Sequence, residues 1–77
     1  MNDWLSTRAD ALADATGLDR NAFELSPEEV GLLLSLAGDA AHESGKRTNA
    51  PLLCYLLGVA RGAKGLDELV EIVRSTS

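Results

Sequence analysis

LSPEEVGLLLSLAGDAAHESGKRTNAPLLCYLLGVARG, residues 25–62, decides the fold of this chain. It opens on Ser26-Pro27-Glu28-Glu29. Ser26 is placed to cap a helix, Pro27 suits the first helical position, and Glu29 completes a capping box. Leu25 before the cap and Val30 after it are placed to form a hydrophobic staple. The spacing of Val30, Leu33, Leu34, Ala37 and Ala41 predicts an inward stripe on this helix. The helix is expected to end near Glu43 or Ser44, with Gly45 as its break. A polar loop follows, and then a nearly unbroken apolar run from Ala50 to Ala60 predicts a second helix, continuing to about Gly62. Thr48 or Asn49 is its expected cap, and Pro51 sits in its first turn.

Outward from this stretch the same signals recur. Asp3 to Thr16 reads as a first helix, with Asp3 as N-cap, Leu5, Ala9, Leu12 and Thr16 at helical spacing, and Gly17 as the stop. In the connector, Leu18, Phe23 and Leu25 are expected to pack as plugs. A last helix begins after Gly65 and carries Leu66, Leu69, Val70 and Val73 on one face. Asp67 and Glu68 near its start and Arg74 near its end suit the helix dipole. No segment alternates with the period of a strand. The expectation is an all-α fold: one domain over residues 1–77, a compact four-helix bundle, either regular or irregular and orthogonal. Gly31, Gly38 and Gly58 fall inside helices, where each costs about 1 kcal/mol relative to alanine. Close approach of neighbouring helices is the expected reason, with a hinge or ligand contact as the alternative.

Composition narrows the function. The 77 residues are 45% hydrophobic with only three aromatic residues, so the core must be built from Leu, Val and Ala. A chain this short buries only about 60% of its unfolded surface. Its net stability is expected at about 4–12 kcal/mol. Cys54 is the lone cysteine, so no disulfide framework or CxxC zinc motif is available and no metal is expected. MNDWLSTRAD is acidic and has no apolar core, unlike a signal peptide. No apolar stretch reaches the roughly 20 residues that span a bilayer. A cytoplasmic location without membrane association is the expectation. The net charge of −5 argues against general nucleic-acid binding. That charge is uneven: residues 46–64 hold four bases and no acid.

The candidate sites lie in this base-only region and just before it. Lys46 and Arg47 precede a helix start, where cations do not help the helix. A bound anion explains them: the first amides of the helix, with His42, Lys46, Arg47, Thr48 and Asn49, could then hold a phosphate or carboxylate. The alternative is a solvated loop whose bases pair with acids such as Glu43. His42 follows Asp39 by three residues, on the same face, and is read as a helix cap, a ligand contact or, with Asp39 or Cys54, the centre of a small enzyme. Cys54 is read as a small packed residue. The run from Leu52 to Leu57 is apolar around the whole helix, so this helix is either central or offers a surface to a partner. Leu53, Tyr55 and Leu57 are the candidate interface for another protein or a second copy.

Taken in order, these features resemble a known family. Trp4-Leu5, the capped Leu25 to Glu28, Ala41-His42, Arg47, Ala50-Pro51-Leu52 and the Leu-Gly-x-Ala of residues 57–60 resemble a small actinobacterial helical domain of uncharacterised activity. That domain occurs alone and also fused to, or encoded near, molybdenum cofactor guanylyltransferase. The likeness covers nearly the whole chain and implies a genomic neighbourhood, not a reaction. Length, acidity and helix count also match an acyl carrier protein, but the Asp-Ser-Leu attachment motif is absent. The functional expectation is a non-enzymatic accessory or protein-interaction module, linked to molybdenum cofactor nucleotide metabolism and needing no cofactor of its own. A small-anion-binding domain and a small enzyme using His42 are the alternatives.

Overall fold

The computed structural model describes residues 1–76. The chain is all-α: α1 (Asp3–Thr16), a 3₁₀ turn (Arg20–Phe23), α2 (Pro27–Ser44), α3 (Asn49–Ala60) and α4 (Leu66–Ser75). Among the described residues there is no strand. This is the class read from the sequence. The chain divides into two units, Met1–Val30 and the residues from Gly31 onward.

In the first unit, α1 is capped one residue earlier than expected. Asn2, in an extended conformation, accepts the Leu5 amide at 3.0 Å through its side chain. Asp3 is already helical, in the first turn, where its charge suits the dipole. Gly17 ends the helix at φ 73° and donates its amide to the Ala13 carbonyl. The Arg20 guanidinium links the 3₁₀ turn to α1 by donating to Asp10 at 2.6 Å, and it also reaches Glu24 at 3.5 Å. The hydrogen bond to Asp10 is the main reason its pKa is raised above the ordinary arginine value. Arg8 lies 3.9 Å over the Trp4 ring. Leu18 is exposed and is no plug, whereas Phe23 and Leu25 are half-buried. The start of α2 forms as read: the Ser26 amide donates to Glu29 at 2.8 Å, and the Glu29 amide donates to the Ser26 hydroxyl at 3.1 Å.

The second unit holds the main core. Leu36 of α2, Leu57 of α3, and Leu66, Leu69 and Val70 of α4 are buried together. Leu32, Leu33, Leu53, Ala60 and Val73 flank them, half-buried. The largest share comes from α4, because its apolar residues repeat at i, i+3, i+4 and i+7 and its acids, Asp67, Glu68 and Glu71, stay on the exposed side. In α2, Val30, Leu33, Ala37 and Ala41 of the expected inward stripe are half-buried, and one position differs. Leu36 is buried and Leu34 is exposed. Leucines occupy positions 32, 33, 34 and 36, so helical periodicity alone did not choose between Leu34 and Leu36. Arg74 of α4 donates to Asp39 of α2 at 2.7 Å. Both side chains are about half exposed, so this pair contributes at most about 1 kcal/mol.

The glycine expectation is corrected. A Cβ placed at Gly31, Gly38 or Gly58 meets nothing within 4 Å. These positions are exposed, and no close helix approach requires them.

Candidate functional site

The largest consequence of the packing is the division of α3. Its apolar residues surround the helix, but the core covers only one side. Leu57 is buried and Leu53, Cys54 and Ala60 are half-buried. The opposite side carries Leu52, Tyr55, Leu56 and Val59, which are 62%, 71%, 61% and 67% exposed. Their i, i+3, i+4, i+7 spacing forms one continuous stripe about 10 Å long at 1.5 Å per residue. Of the expected interface residues, Tyr55 lies on this exposed side, Leu53 at its margin, and Leu57 in the core. Leu57 is therefore corrected from an interface to a core residue. Leu52, Leu56 and Val59 take their place on the exposed stripe.

A cleft of about 400 Å³ adjoins the stripe, within the second unit. Leu52, Leu53 and Leu56 of α3 line it together with Leu36 of α2 and Val73 of α4. Asp39, Glu43 and Arg74 also line it, as does Asn49. The stripe and the cleft share Leu52 and Leu56, so they make one surface.

The loop before α3 is held by its own backbone. Gly45, at φ 71°, ends α2, and its amide donates to the His42 carbonyl at 3.3 Å. The Ser44 hydroxyl donates to the Ala40 carbonyl at 2.6 Å and accepts the Lys46 amide at 3.3 Å. The Asn49 and Ala50 amides then donate to the Lys46 and Arg47 carbonyls at 3.1 and 3.2 Å. Pro51 has no amide proton. The first amides of α3 are thus committed or missing, where the sequence suggested they could meet an anion. Thr48 is helical and makes no capping hydrogen bond with its side chain. His42, Lys46, Arg47 and Thr48 are exposed, and Asn49 is half-buried. Among the described residues, Lys46 and Arg47 form no ion pair, with Glu43 or any other acid. The carboxylate of Asp39 is engaged by Arg74, and it makes no hydrogen bond to His42. Among the described residues, no group of His, Cys, Asp or Glu is arranged to hold a metal. Among the described residues, no helix is long and apolar enough to cross a membrane.

These features coincide with a family assignment. The family model for a domain of unknown function, DUF6457, matches residues 1–77. The chain belongs to the DUF6457 family. No curated protein and no solved structure matches it. The DUF6457 match spans the residues of the stripe, the cleft and the loop alike.

Proposed function

We propose that this DUF6457 domain is a non-enzymatic interaction module that docks to a partner protein through the exposed side of α3 and the adjoining cleft. The observation that carries this reading is the stripe of Leu52, Tyr55, Leu56 and Val59, four large side chains in one contiguous exposed row. Isolated exposed hydrophobics are common, whereas a contiguous row of them marks an interaction surface. The resemblance to an actinobacterial domain found fused to molybdenum cofactor guanylyltransferase makes that enzyme the first partner to test.

The test is isothermal titration of the purified domain with the guanylyltransferase of the same organism, using wild type and Leu56→Asp. Leu56 is outside the core, so the variant is expected to keep its helix content and lose the complex. A complex of unchanged affinity in Leu56→Asp would defeat the reading. So would a monomeric domain that forms no complex.

A further inference from the structure

We draw no further inference here: the strongest candidate, the cleft of about 400 Å³ that adjoins the exposed apolar stripe of α3, belongs to the site already described, and nothing in the structure shows what covers it.

Discussion

Leu56 and Leu57 are adjacent, chemically identical, and sit on opposite sides of α3, so the pair tests the assignment of its two faces. Leu57 is 4% exposed in the main core, and Leu56 is 61% exposed. Truncating a buried leucine to alanine costs about 2–5 kcal/mol, the spread depending on how far the site collapses. The core here is small, with five buried residues and a rim of half-buried ones that can relax inward. The lower part of that range is therefore expected for Leu57→Ala, about 2–3 kcal/mol. For a domain of this size that lowers Tm by about 10–20 °C. Leu56→Ala removes no buried contact and exchanges two good helix formers, so it is expected to stay within about 0.5 kcal/mol of wild type. Urea denaturation followed by circular dichroism at 222 nm, run on both variants, gives the comparison. Equal destabilisation by the two substitutions would refute the division of α3 into a packed and an exposed face. Greater destabilisation by Leu56→Ala would mean that the helix is rotated.

The helix glycines give a second prediction: Gly38→Ala and Gly58→Ala meet no neighbour, so each is expected to stabilise by about 0.5–1 kcal/mol in the same denaturation assay. Gly45→Ala is expected to act oppositely, costing about 1 kcal/mol or more, because Gly45 holds φ 71°. Ser26→Ala is expected to cost about 0.5–2 kcal/mol by removing the acceptor for the Glu29 amide, read as a lower midpoint at unchanged m-value. A double-mutant cycle on Asp39 and Arg74 is expected to give a coupling below about 1 kcal/mol that falls further in high salt, since both groups are half exposed.

How much of this was legible in the sequence depended on how local the signal was. The cap of α2 could be read because Ser26 and Glu29 satisfy each other within one turn. The inward face of α4 could be read because only one side of that helix is apolar. The packed side of α3, and the choice between Leu34 and Leu36 in α2, could not. Leu34 and Leu36, or Leu56 and Leu57, are equivalent until a neighbouring helix chooses between them, and that choice is made by packing against α4. The glycine reading failed for a related reason, since a sequence shows that a helix contains glycine but not whether anything lies beside it. At the loop, the residue types suggested an anion site, but whether the first amides of α3 are free depends on the turn, and here the Lys46 and Arg47 carbonyls take them.

The energetics of the exposed stripe bear on how such a module would work. Burying a large apolar side chain contributes about 1.5–3 kcal/mol, so four that are roughly two-thirds exposed offer about 4–8 kcal/mol in total. Association costs at least about 4 kcal/mol in lost freedom. The stripe alone then reaches about millimolar affinity at best. A free-standing domain needs more, and the adjoining cleft and the cations at Lys46 and Arg47 are the available sources. A domain fused to its partner does not, because a short flexible linker supplies an effective concentration of about millimolar by itself. Under the docking role proposed here, the same face serves both contexts that the resemblance implies, but the cations are needed in only one. Lys46→Glu/Arg47→Glu is accordingly expected to weaken the complex between separate chains by about tenfold or more, and to leave docking within a fused chain nearly unchanged. Titration calorimetry of the separate chains and amide exchange in the fused one measure the two effects, and equal sensitivity in both would refute the distinction.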